Sequence, residues 1–274
     1  MSLNERSTLT VSASAVISKV PAVTVTFWIT KILATTLGET GGDAVTMTWL
    51  GETTAAANPN GYLIGTAIFA TLLVVLVAAQ IIAKKFHPFL YWATIIASTT
   101  AGTTLADFAD RSLGIGYTGG STVLFLCVMA VLGIWYWSEG TIAVETVSRP
   151  KTEAFYWGTI TFSQTLGTAL GDWMADTSGF GFFGAALVFM AALAVVAALY
   201  YWTGISRVLL FWAAFILTRP LGATVGDFLD KPLDNGGLNL SRPLATVIIA
   251  ALIVGGIFLT PQRAGVHPVT AKTL

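Results

Sequence analysis

"TLGTALGDWMAD" occupies residues 165–176 and closes an otherwise apolar stretch that begins at Trp157. The chain paraphrases it three more times: "TTLGETGGDAVT" at 35–46, "TTAGTTLADFAD" at 99–110 and "RPLGATVGDFLD" at 219–230. Each copy sets an aspartate at the same point of an apolar segment. An aromatic–Trp pair anchors every copy: Phe27-Trp28, Tyr91-Trp92, Tyr156-Trp157 and Phe211-Trp212. Fifteen residues after each Trp stands Asp43, Asp107, Asp172 or Asp227, and ten after stands Gly38, Gly102, Gly167 or Gly222. Position +14 is always small: Gly42, Ala106, Gly171 and Gly226. Four such agreements without a gap define an internal repeat.

The 274-residue chain is 55% hydrophobic and 10% charged. Soluble domains carry about 25% charged residues, so this surface is too apolar for a dissolved globule. Windows 62–83, 121–137, 179–204 and 243–259 are free of charge. About 20 apolar residues cross a bilayer as a helix, whereas a transmembrane barrel requires alternating segments. The expected fold is therefore an all-α integral membrane protein. It has eight transmembrane helices in four parallel two-helix repeats, about 21–84, 85–148, 149–205 and 206–260. Residues 21–260 form one membrane domain, with 1–20 and 261–274 as cytoplasmic tails and Pro21 as the first position of the first helix. Two spans per repeat give all units the same orientation, unlike inverted repeats.

Lysine and arginine set the direction. On the side of the N-terminus lie Arg6, Lys19, Lys84, Lys85, Arg149, Lys151, Arg207, Arg263 and Lys272; on the other lie Arg111, Lys231 and Arg242. Nine against three places both termini in the cytoplasm of a multi-pass cell (inner) membrane protein. Trp28, Trp92, Trp157 and Trp212 are expected as aromatics at the inner interface. The aspartates follow about 22 Å further on, in the outer half of the bilayer.

The opening "KVPAVTVTFWITKILATTLGET" at 19–40 is similar to the usual first repeat of a bacterial membrane-anchored family. That family is defined by four tandem repeats of unknown function, each with two spans and a characteristic Trp. The chain resembles it from about 19 to 260. The resemblance implies eight spans and supplies no activity.

The two helices of a repeat differ. The second is apolar all round, while the first carries a polar stripe. Counted from each Trp, Thr35, Thr99, Gln164 and Arg219 stand at +7, and Glu39, Thr103, Thr168 and Ala223 at +11. The aspartates follow at +15, and Thr46, Asp110, Ala175 and Asp230 at +18. Steps of four and three share one helical face. An intramembrane Asp costs about 2.5–3.5 kcal/mol on insertion scales, so the stripes should face inward. The odd helices then lie inside, the even ones outside, and the aspartates converge. Gly38, Gly42, Gly102, Gly167, Gly171, Gly222 and Gly226 serve close helix packing. An acid near a helix end can equally be interfacial or a cap, which suits Asp110, Asp176 and Asp230 better than the +15 set. Lys31 and Arg219 are intramembrane cations that should reach carboxylates or backbone carbonyls. His87 and His267 fall in loops, and Cys127 has no partner for a disulfide.

Carboxylates with threonine and glutamine make a hard oxygen set, suited to Mn²⁺ or Mg²⁺ rather than Zn²⁺. The expected function is a cation transporter, with protonation of buried carboxylates as a route to proton coupling. Asp43, Asp107, Asp172 and Asp227 act as metal ligands, helped by Glu39, Thr103, Gln164 and Thr168. The alternatives are a cation channel, a carrier of a small organic cation caged by the Trp residues, or a non-transporting scaffold. No zinc, serine-elbow or phosphate-loop motif occurs, so neither an enzyme, a catalytic residue nor a cofactor is expected. The partners are lipid and a cation, not nucleic acid; a monomer and a homodimer both remain open.

Overall fold

The computed structural model describes residues 16–52 and 60–267. Eight long helices dominate: α1 (Val25–Asp43), α2 (Gly61–Ile82), α3 (Pro88–Asp107), α4 (Tyr117–Glu139), α5 (Pro150–Asp172), α6 (Gly181–Trp202), α7 (Arg207–Asp230) and α8 (Arg242–Leu259). Their starts follow local chemistry. Thr24 and Ser206 accept from the backbone N–H three residues on, and proline opens α3 and α5, where its missing N–H costs nothing.

The odd-numbered helices form a closed ring in which α1 packs on α3, α3 on α5, α5 on α7 and α7 on α1. Each even helix lies outside, chiefly against the odd helix of the next repeat: α2 on α3, α4 on α5, α6 on α7, and α8 back on α1. A repeat therefore does not close on itself. Its second helix covers its neighbour, and the fourth repeat seals the circle.

Helices α2, α4, α6, α7 and α8 are long and apolar enough to cross a membrane. The even ones keep large apolar side chains such as Val74, Leu126, Met190 and Val247 on the surface, far more than a water-facing wall tolerates. Helices α1, α3 and α5 are less apolar because their threonines turn inward. Many of these hydroxyls donate to a carbonyl three or four residues back, as Thr36 does to Ile32, Thr100 to Ile96 and Thr159 to Phe155, so burial leaves those groups satisfied.

Glycine sets the ring spacing. A Cβ on Gly102 would lie 2.9 Å from both the Gln164 carbonyl carbon and the Thr165 nitrogen, and one on Gly222 would lie 2.9 Å from the Thr35 carbonyl carbon. Gly38 and Gly167 likewise face Thr99 and Arg219. The +10 glycine of each repeat thus receives the +7 residue of the next, all the way round. Gly42, Gly171 and Gly226 face the +11 residues Thr103, Ala223 and Glu39 in the same sense.

Two expectations about the ends are corrected. Residues 16–20 of the expected tail are ordered as a strand, and Pro21 ends that strand instead of starting a helix. Strand β1 (Val16–Pro21) pairs antiparallel with β2 (Ala264–His267), Ile17 opposite Val266, and α1 begins only at Val25. Proline is tolerated there because it is the last residue of a two-stranded ribbon. The remainder of the expected tails, residues 1–15 and 268–274 with Arg6 and Lys272, lies outside the described residues.

Candidate functional site

The stripe on the odd helices becomes a stack of layers along the ring axis. The layer at −1 is aromatic: Phe27, Tyr91, Tyr156 and Phe211. Each of these rings lies against the Trp of the next repeat, with centroids 5.6 Å apart for Phe27–Trp92, 5.8 Å for Tyr91–Trp157, 6.2 Å for Tyr156–Trp212 and 5.6 Å for Phe211–Trp28. The Tyr91 and Tyr156 hydroxyls share a hydrogen bond of 2.6 Å. Trp92, Trp157 and Trp212 are buried and Trp28 is half-buried. These residues are therefore an internal collar rather than an interface belt. The indole nitrogens of Trp92 and Trp212 donate to Gln262 Oε1 and to the Ile142 carbonyl, so burial leaves both satisfied. Exposed Trp137 and Trp202 sit at the ends of α4 and α6 instead.

At +3 the layer is Lys31, Ile95, Ile160 and Phe215, all fully buried. Lys31 was expected to reach a carboxylate or a carbonyl. Its ammonium has no hydrogen-bond partner among the described residues and lies over the Phe215 ring, 4.3 Å from the centroid. Its layer mates are apolar, which denies it an oxygen; the ring face offers a weaker cation–π contact. At +7 the Gln164 amide and the Thr99 hydroxyl are buried without a partner among the described residues.

Arg219 crosses from +7 to the layer above. Its Nη2 lies 2.9 Å from Glu39 Oε2 and 2.6 Å from Thr103 Oγ1, and also donates to Thr168 Oγ1. The fourth +11 residue, Ala223, has no polar group, and the guanidinium completes that layer. Arg219, not Lys31, is the partner of Glu39.

The four +15 aspartates are all buried and divide into two bridged pairs. Lys231 Nζ lies 2.5 Å from Asp43 Oδ2 and 2.9 Å from Asp227 Oδ1. Arg111 lies 3.0 Å from Asp107 Oδ1 through Nε and 3.4 Å from Asp172 Oδ2 through Nη2. Arg242, at the start of α8, lies 3.6 Å from Asp230 and 4.0 Å from Asp43. Arg111, Lys231 and Arg242 are thus structural partners of the acids rather than free loop charges. Two of them were legible, because Asp107–Arg111 and Asp227–Lys231 are i,i+4 pairs.

Immediately beyond Asp43, Asp107 and Asp172 the helix widens into a π-helical turn, over Ala44–Trp49, Phe108–Ser112 and Trp173–Thr177. Such turns often mark functional sites. Helix α7 stays regular to Asp230 despite Pro220 in its interior. Above the layer opens a cavity of about 910 Å³, lined by Arg111, Tyr117, Asp176, Asp230, Lys231 and Arg242 among others. The Trp residues sit at the opposite end of the ring, so they cannot cage an organic cation here.

One oxygen each from Glu39, Asp43 and Asp227 lie within 4.8 Å of one another. Oxygens around a hard cation bound at about 2.0–2.6 Å have such separations. Asp107 and Asp172 do not join that group, and Gln164 and Thr99 lie two layers below the aspartates.

The stretches 26–86, 90–141, 155–206 and 210–260 match the family model described as Repeat of Unknown Function (DUF347). They cover most of the chain, which belongs to that family. No curated protein and no solved structure matches it.

Proposed function

We propose that this member of the DUF347 repeat family is a carrier of a cation, with a hard divalent ion such as Mn²⁺ or Mg²⁺ the favoured substrate. The observation that carries this reading is the convergence of Glu39, Asp43 and Asp227 beneath a solvent-sized vestibule. Anionic oxygens at that spacing suit a hard cation, and no histidine or cysteine joins them. The far end speaks for a carrier over an open pore. Below the acids the axis is filled by Arg219, by the layer of Lys31 and Phe215, and by the aromatic collar. One open end and one sealed end are what alternating access requires of a single state.

All eight helices span the membrane on this reading, with both termini cytoplasmic and the vestibule on the outer face. The outer side carries only Arg111, Lys231 and Arg242, and each is engaged with aspartate. Lys84 and Lys85 on the inner side are exposed. Basic residues on both sides are partly paired, Lys19 with Glu153 and Lys151 with Glu139 on the inner one, and the count of nine against three is what supports the orientation. A small organic cation is the second reading, favoured by a cavity far larger than a bare ion.

Reconstituted vesicles offered a panel of mono-, divalent and organic cations test the reading. Saturable Mn²⁺ or Mg²⁺ uptake is expected, lost in Asp43→Asn and largely kept in Asp176→Asn, whose exposed carboxylate only lines the vestibule. Uptake of none of the panel overturns it. Proton movement followed in the same vesicles reads the coupling.

A further inference from the structure

We infer that Lys231 is a built-in cation that holds the substrate position between Asp43 and Asp227, and that an incoming divalent ion displaces it into the vestibule. This rests on the cation-carrier reading above. The ammonium contacts one oxygen of each aspartate, and Glu39 brings a third carboxylate to the same place. A cation already stands where anionic oxygens converge. The set is not satisfied by it: Asp43 Oδ1 is buried and has no partner among the described residues, and a buried acceptor left open calls for another ligand.

Lys231 is also placed to leave. It lies just past the last turn of α7 and lines the vestibule. Its head is a compact charge on a flexible four-carbon stem, so it can swing into open space without unwinding a helix. It keeps its proton and carries its charge to water, while the divalent ion brings two charges to three carboxylates. The other half of the layer is built differently. Arg111 bridges Asp107 and Asp172 with a planar fork, and no third acid joins them among the described residues. Exchange is thereby confined to repeats one and four, and repeats two and three form a permanently clamped half.

Calorimetry with Mn²⁺ on the purified full-length protein tests this. Lys231→Met removes the competing charge and should bind Mn²⁺ at least about tenfold tighter than wild type, since unit charges this close interact by several kcal/mol even at the screening of a protein surface. Lys231→Arg keeps the charge and should bind no tighter. Equal affinity in wild type and Lys231→Met overturns the displacement while leaving the cation reading intact. Binding by neither overturns the divalent-ion reading on which the displacement rests. A second measurement needs no variant: in wild type that binds Mn²⁺, the ion should speed acylation of Lys231 by a water-soluble amine reagent, read by mass spectrometry. Unchanged or slower labelling overturns the displacement.

Discussion

The two ends of the helical ring use the same four stripes for opposite purposes. At the N-terminal ends of the odd helices, four aromatic–Trp pairs interlock into a collar, and the polar atoms of Tyr91, Tyr156, Trp92 and Trp212 find neutral partners. At the C-terminal ends, four buried aspartates are held by Arg111 and Lys231, which line a large cavity. Aromatic rings fill space and tolerate a dry axis. Buried carboxylates require counter-charge, and even then leave acceptors open. The dry end can remain shut by packing alone, while the charged end depends on each partner being present.

The contrast is broken most severely at Arg219. Arg219→Met leaves Glu39 buried without its cation, which costs about 3–5 kcal/mol for a buried pair of this kind. The purified variant should melt well below wild type, and adding Glu39→Gln should recover much of the loss. A melting temperature unchanged by Arg219→Met would mean that the pair does not hold the two ends together.

Less severe is a test of the spacing common to both ends. Gly102→Ala pushes a methyl group to within 2.9 Å of backbone on α5, and backbone cannot step aside as a side chain can. Overpacking of this sort costs about 1–3 kcal/mol. Gly133→Ala, where a Cβ meets nothing within 4 Å, should leave stability unchanged. Urea or thermal unfolding in one detergent gives the ranking, and equal effects would show that the ring is not glycine-spaced.

The smallest effect belongs to the collar. Tyr91→Phe removes one neutral buried hydrogen bond and should cost about 0.5–1.5 kcal/mol, with cation uptake retained. Loss of uptake without loss of stability would sharpen the comparison in the other direction, by making the collar a moving gate.

Much of this was readable from residue order. Position −1 continues the four-residue steps +3, +7, +11 and +15, so Phe27, Tyr91, Tyr156 and Phe211 lie on the same helical face as the aspartates. The signal that the pairs turn inward was present. A rule relating Trp to membrane interfaces outweighed it, and Trp137 and Trp202 fit that rule better. Arg111 and Lys231 were likewise visible as i,i+4 partners, but counting them as loop charges hid their role. Lys31 is a similar case, since Ile95, Ile160 and Phe215 stand at the same +3 position of the other repeats, and reading across the register would have shown its layer to be apolar.

The sequence by itself determined the four repeats, the helices and the face each odd helix buries, because helical periodicity converts spacing into angle. Only the tertiary structure decided which neighbour meets that face. It placed α2 on α3 and α8 on α1 rather than closing each hairpin, and joined residues 16–21 to 264–267 across nearly the whole chain. It also assigned Arg219 to Glu39 and left Lys31 with a ring. A periodic pattern carries no information about partners remote in the chain, since contact between separate helices is set by how glycines, stripes and loops pack together.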